Sequence, residues 1–387
     1  MDSQGWFSNK NIATFIVVFM SVNLCWIEGF QTSIPKTAMM AISPFLILFR
    51  SPKFTKAIGL SLLYLGVTVT MYYLQFSGNE MTFIHMALQW SLFCLFYNLV
   101  HVENCFTIDD AIRIVKLIVY LYAICIVLQQ VLLLAGMRTF HPLNLYNFPY
   151  YRLFRLPSLA LEPSHAARVL TVCGYAYLKL NQFKNGRIFS LYELFYENAL
   201  FSFSYFYTML SLGSGTAMVG LALLSLYFIR FQYAIAIIFV LLLAFIFGPS
   251  IDYEPLNRVL AVFDAASSMD ASEVYKVDQS ASARVGVIIL TIQNLDLTDA
   301  NTWLGIGVHP GSVSVVGGIE YYGFISYLLL LLLLFRCCFT RILSIDVLFF
   351  VFLLSLDIRN FAYVFAILLI MTMVKHFYEE NRENKRL

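Results

Sequence analysis

Apolar runs broken by short polar intervals make up most of this chain. Segments such as 233–247, YAIAIIFVLLLAFIF, have no polar face at the helical period, so they do not read as half-buried helices of a soluble core. Runs of roughly 15–23 residues match the thickness of a bilayer. They predict spans near 12–29, 34–49, 57–76, 81–100, 114–136, 165–183, 195–211, 215–229, 232–247, 316–335, 345–356 and 361–374. The expected fold is all-α: a polytopic membrane helix bundle of about twelve spans, forming a single integral-membrane domain over 1–387. The first run lacks a small-residue cleavage site and is expected to stay as an anchor. No internal repeat is visible, which argues against an inverted-repeat transporter.

Two polar intervals are too long to be simple turns. The first, 137–164, is rich in aromatics, Pro and Asn; the second, 248–315, is the largest polar region of the chain. Within the second, Leu256, Val259, Leu260 and Phe263 recur at helical spacing, as do Val285, Ile288, Ile289 and Ile292 after SASAR. Both stretches predict amphipathic helices lying at an interface or roofing the bundle. Long ordered loops of this kind are usually functional. The last segment, 375–387, is expected to be a solvated cytoplasmic tail.

Composition agrees: 60% of residues are hydrophobic and 12% charged, against about 25% charged in soluble domains. The seven cysteines fall in apolar spans or on the side expected to be cytoplasmic, which leaves no disulfide framework and no zinc spacing. The net charge of +2 excludes little, but its distribution is informative. With the N-terminus inside, 16 of the 25 Lys and Arg lie on the cytoplasmic side, split eight and eight. The other nine are Lys36, Arg138, Arg152, Arg155, Arg168, Arg258, Lys276, Arg284 and Arg359, seven of them arginine. Arginine's planar fork holds two oxyanions and stays charged when partly desolvated, so this excess points to an anionic ligand outside. Snorkelling anchors account for Arg138 and Arg152.

The stretch FRLPSLALEPSHAARVL, 154–170, concentrates candidate chemistry. Pro163 suits the first turn of a helix and places Glu162 at its start. Glu162 then reads either as a helix cap or as a carboxylate for proton transfer, and Arg155 either as an interfacial anchor or as a phosphate ligand. Arg168 lies about a turn inside a span, where a charge must face protein, water or a ligand; His165 is its neighbour. Arg284 opens the second amphipathic stretch, where the helix dipole disfavours a cation unless an anion is near. Ser280 and Ser282 offer a purely structural cap there. His309, in GIGVHPG, sits in a glycine-flanked turn that can approach a ligand closely. Asp357 and Arg359 read as an ion pair ordering a hairpin, and Glu28 and Lys36 as a pair across the first outer turn. No nucleotide, dinucleotide, metalloprotease or nucleophile-elbow motif occurs, and no cofactor or metal is expected.

The order RLPSLALEPSHAARVL, LSLGSGTAMVGLALL, SARVGVIILTIQNL, TWLGIGVHPG, IEYYGFISYLLLLLLLF resembles the bacterial O-antigen polymerase and O-antigen ligase superfamily over about 150–335. The resemblance implies a glycosyltransferase of the GT-C type, acting outside the inner membrane on undecaprenyl-diphosphate-linked oligosaccharides as donor and acceptor. A chain-length regulator protein and membrane lipid are the other implied partners, and nucleic acid is not one. Arg155 and Arg284 then correspond to the arginines of the two external loops that contact lipid diphosphate and sugar, with Arg168 and His165 as neighbours. Relatives often carry Ser-Arg at the LSLGSGT junction, and this chain has no arginine there. Glu162 in the EPS element is more similar to polymerases of capsule and exopolysaccharide systems. His309, eleven residues before Glu320 in GGIEYYGF, does not match the ligase pattern. The resemblance therefore favours a repeat-unit polymerase, with the ligase or a flippase of lipid-linked sugars as alternatives, and Glu162 or His309 as general base.

Overall fold

The computed structural model describes residues 8–23, 33–49, 53–75, 80–137, 153–228, 254–278, 282–293, 295–305, 318–341 and 362–384. Among these every regular element is helical. In chain order they are α1 (Asn9–Ser21), α2 (Ile34–Phe49), α3 (Lys56–Gln75), α4 (Glu80–His101), α5 (Ile108–Leu134), α6 (Pro163–Asn185) and α7 (Ala199–Ser211). There follow α8 (Gly215–Ser225), α9 (Glu254–Ser267), α10 (Ala271–Val277), α11 (Val287–Gln293), α12 (Ala300–Leu304), α13 (Gly318–Cys337) and α14 (Ala362–Asn384). Among the described residues α5 is the one helix long and apolar enough to cross a membrane; Ile34–Phe49, Lys56–Thr70, Gly215–Phe228 and Gly323–Cys337 are apolar but shorter.

The chain divides into two compact units: Met1–Ala38, Asn104–Leu260 and His376–Leu387 form the first, Met39–Glu103 and Ala261–Lys375 the second. The first is built around α6. Pro163 stands at its first turn after an extended Glu162, and a left-handed Gly186 (φ 66°) ends it. Its side chains from His165 to Leu178 are buried without a break, so it is a core helix wrapped by α5, α7 and α8. Two glycines allow this. A Cβ on Gly174 would lie 2.8 Å from the Tyr205 ring of α7, and one on Gly220 of α8 would lie 2.0 Å from Thr171 Oγ1.

Ion pairs set the direction of these helices. Asp109 and Asp110 occupy the first turn of α5, which Thr107 closes with a capping box. Lys184, at the far end of α6, lies 2.6 Å from Asp109, and Lys10, at the start of α1, lies 2.7 Å from Asp110. Thus α1 and α5 run antiparallel to α6. At the same end Arg187 pairs with Glu193 at 2.6 Å. The Ser190 backbone N–H, then its hydroxyl and the Arg187 charge, hold the buried Glu193 carboxyl below the usual carboxylate range. From Leu117 onward the outward face of α5 is apolar, exposing Leu117, Ile124, Leu128, Val131 and Leu134; Arg113 is exposed one turn before it.

In the second unit α3 packs on α4 and α13. Trp90 sits at its centre, edge-on to Tyr64, Phe93 and Phe365 at 5.6, 5.4 and 5.1 Å between ring centroids. Gly323 breaks α13 with φ 82°, and a Cβ there would lie 2.3 Å from the Trp303 carbonyl oxygen of α12. Only glycine accepts both the left-handed backbone and that approach.

Several expectations change. The amphipathic stretch around Leu256 forms as α9, but Phe263 is 72% exposed. The stretch after SASAR opens as a π turn, Ser282–Gly286, before the short α11. The expected solvated tail begins as part of α14: Lys375, His376 and Phe377 are buried, and Lys375 Nζ donates to the Phe335 carbonyl at 2.8 Å. The sequence pattern missed this because charge in the last turns masks a helix that continues to Asn384. The predicted spans at 232–247 and 345–356 lie outside the described residues.

Candidate functional site

The end of the first long polar interval is no surface loop. Leu156, Ser158, Leu159 and Ala160 are at most 3% exposed and lie against the last turns of α5. Irregular backbone at such depth needs partners for every N–H and C=O, and side chains supply them. Gln129 of α5 reads both sides of Ser158: its Nε2 donates to the Ser158 carbonyl and its Oε1 accepts from the Ser158 N–H, each at 2.9 Å. The Ser158 hydroxyl donates to the Tyr122 carbonyl at 2.7 Å, and the Tyr122 hydroxyl to the Ser21 carbonyl at 2.6 Å. Asn23 N–H, just past α1, donates to the Leu159 carbonyl at 2.8 Å. Gln130 Nε2 reaches the Leu153 carbonyl at 3.1 Å. Ser158 takes a left-handed φ of 51°, a strained turn held by these bonds.

The α7–α8 junction closes the other side. Gly213, with φ 54°, comes so near that a Cβ would lie 1.7 Å from the Phe154 carbonyl oxygen and 3.2 Å from Arg155 Cα. LSLGSGT therefore meets the Arg155 backbone directly, and its glycine is required twice over, for φ and for space. Arg155 thus stands at the mouth of a backbone gripped by α1, α5 and the α7–α8 turn.

The Arg155 side chain remains 41% exposed. Nη1 lies 3.8 Å from Oε1 of Glu254, the first residue of α9. The same oxygen accepts a hydrogen bond from Arg258 Nη2 at 3.1 Å. Neither Glu254 nor Arg258 stood out as a site residue in the sequence. The faint signal was Arg258's place among the seven outer arginines, and the α9 periodicity that puts it one turn after Glu254.

Glu162 occupies the N-cap position of α6 but makes no capping hydrogen bond. Its carboxylate, 57% exposed, accepts from the Ser164 hydroxyl at 3.2 Å and lies 3.7 Å from His165 Nε2. His165 is 8% exposed and Arg168, one turn on, 2%. An exposed carboxylate beside a nearly buried imidazole can take a proton and share it with a neighbour.

The backbone of Arg284 lies in the π turn of the second unit, whereas Arg155, Glu162, His165 and Arg168 belong to the first. His309, Asp357, Arg359 and Glu28 lie outside the described residues. Among the described residues no group of three or more His, Cys, Asp or Glu is arranged to hold a metal ion. Comparison of the chain with protein-family models, with curated proteins and with solved structures finds no match.

Proposed function

We propose that this chain is a multi-span membrane glycosyltransferase of about twelve spans that polymerises oligosaccharide repeat units carried on undecaprenyl diphosphate, with its site facing the exterior of a bacterial inner membrane. The observation that carries the reading is Arg155: a half-exposed side chain on a segment held by Gln129, Asn23 and the close approach of Gly213. Preorganised positive charge of this kind stabilises a phosphate leaving group without reorganisation at the moment of reaction. The apolar outward face of α5 suits lipid. The basic residues Lys10, Lys184 and Arg187 gather at the end of α6 opposite Arg155 and Glu162, as the inside-positive rule asks.

In this reaction a hydroxyl of the acceptor repeat unit attacks the anomeric carbon of the donor chain. The new C–O bond forms as the bond to lipid diphosphate breaks with inversion, and the diphosphate departs with the electron pair. Arg155 neutralises the charge growing on it. Glu162 takes the hydroxyl proton, and His165 beside it steadies the carboxylate. The resemblance alone assigns Arg284 to the same ligand and offers His309 as another base.

Purified protein incubated with undecaprenyl-diphosphate oligosaccharides, with and without chelator, tests the reading by its product ladder. Arg155→Ala is expected to lose about a hundredfold or more in rate, and Arg284→Ala is measured alongside. A full ladder from well-expressed Arg155→Ala protein sinks the assignment. Transfer only to a lipid A–core acceptor would instead make the protein a ligase, and transport without bond formation a flippase.

A further inference from the structure

We infer that the start of α2 is a second phosphate seat, built from Lys36 and Ser33, for the lipid diphosphate that is not the leaving group; the inference rests on the polymerase function proposed above. Lys36 is 1% exposed and Ser33 0%. Among the described residues Lys36 makes no hydrogen bond or ion pair, and the Ser33 hydroxyl is without a partner. An ammonium taken out of water without a counter-charge is strongly unfavourable. Lys36 also stands in the first turn of α2 with no acid beside it, at the helix end whose dipole repels a cation. Ser33 holds the N-cap position, since its carbonyl accepts from the Thr37 N–H at 3.0 Å. A serine there ordinarily accepts from the N–H of the second or third helical residue. The second is Pro35, which has none, and the Ser33 hydroxyl leaves the Lys36 N–H unbonded. One anion answers the ammonium, the dipole and the uncapped turn together.

Direction separates this seat from an interfacial anchor. Ser33, Lys36 and Met40 are buried along one side of α2, while Ile34, Thr37 and Ala38 are exposed on the other. A lysine on the exposed side would snorkel to the surrounding headgroups. Lys36 faces away from them. Helical side chains lean toward the N-terminus, so Lys36 covers the turn that Ser33 opens. Its anion therefore enters at the outer end of α2 and belongs to a substrate, not to the surrounding lipid. Lys36 and Arg155 are parts of the same compact unit. Joining two repeat units brings two lipid diphosphates to the protein. One departs, and Arg155 meets its growing charge. The other keeps a constant charge throughout, so it needs only a fixed counter-charge that binds ground state and transition state alike, and an ammonium supplies that.

Equilibrium dialysis of purified full-length protein in a neutral detergent counts the inorganic diphosphate and farnesyl diphosphate bound per chain, with thermal midpoints measured on every variant. The parent is expected to bind two, and Lys36→Met and Arg155→Ala one each. Without ligand, Lys36→Met is expected to melt above the parent, because an uncompensated buried charge is gone. Ser33→Ala keeps the ammonium and is expected to weaken one of the two sites several-fold. In the ladder assay Lys36→Met is expected to need about tenfold more single-unit acceptor, with the rate at saturation unchanged. Occupancy by both probes marks a seat that reads phosphate; occupancy by the farnesyl ester alone adds the prenyl chain as a determinant of the same seat. Two diphosphates bound by Lys36→Met overturn the inference, as does a parent that binds only one. A Lys36→Met protein that melts below the parent makes the lysine structural, as the expected pair with Glu28 would have it, and also overturns it. So does filling of the Lys36 site by phosphatidylglycerol in preference to either diphosphate. One diphosphate lost in Lys36→Met from a parent that forms no ladder leaves the seat standing and removes the polymerase reading. A normal ladder with two diphosphates still bound does the reverse.

Discussion

Gln129→Leu removes the single side chain that satisfies both backbone groups of Ser158. Gln129 and Ser158 are each 0% exposed, so no water replaces the two 2.9 Å hydrogen bonds. A buried donor or acceptor left without a partner costs about 1–3 kcal/mol, hence about 2–6 kcal/mol for the two. Leucine packs well against apolar neighbours and returns part of this, so the lower half of that range is expected. Gln130→Leu is the internal comparison. It strips one backbone partner, the Leu153 carbonyl, along with the hydrogen bond from the Tyr207 hydroxyl, and its expected backbone penalty is about half as large. Both variants are unfolded by heat in one detergent, and the product ladder is run on the folded fraction. The expected order is parent, Gln130→Leu, Gln129→Leu in stability, with the ladder weakened most in Gln129→Leu because Arg155 lies only three residues from Ser158. A Gln129→Leu protein with the parent's unfolding midpoint and ladder would refute the idea that this amide holds the Arg155 segment.

Gly213→Ala places a methyl group where the Phe154 carbonyl stands and asks alanine to hold a left-handed φ that costs about 1–2 kcal/mol by itself; ladder synthesis is expected to fall more than tenfold even where antibody detection shows normal membrane levels. Gly220→Ala forces α8 away from Thr171, and the double variant with Thr171→Ala is expected to regain most of the lost thermal stability, since the nearest colliding atom belongs to that side chain. Equal stability of the single and double variants would show that the helices do not meet there. Glu193→Gln tests the other end of α6 by pH. The folded carboxyl sits below its unfolded range, so its stabilisation is complete above that range and fades as pH falls through the folded value. The variant is therefore expected to be less stable than the parent at neutral pH, with the gap closing in acid, as followed by urea unfolding.

The helices were legible because their signals are local: apolar runs of the right length, Pro163 at a first turn, Gly186 at an end. Glu162 was legible as the residue before α6 for the same reason, yet its failure to cap was not, since that depends on where Ser164 and His165 turn its carboxylate. What escaped is long-range. The buried 156–160 segment read as a loop because its polar and proline-marked composition is that of a loop. Its backbone is satisfied by an amide 29 residues earlier, which no window over the segment contains. The Glu254–Arg155 contact likewise joins two stretches, each ordinary alone, and the tail read as solvated because its charges gave no hint that Lys375 and Asn381 donate to the carbonyls of Phe335 and Phe183. LSLGSGT stood out only by resemblance, and the resemblance marked the absence of an arginine there. The structure gives its glycine a physical reason instead. At that junction the chain needs the smallest residue, because the backbone that carries Arg155 passes within contact of it. A larger residue at position 213 and the present path of the Phe154–Arg155 backbone are incompatible, so any sequence that keeps this path must keep the glycine or move the α7–α8 turn.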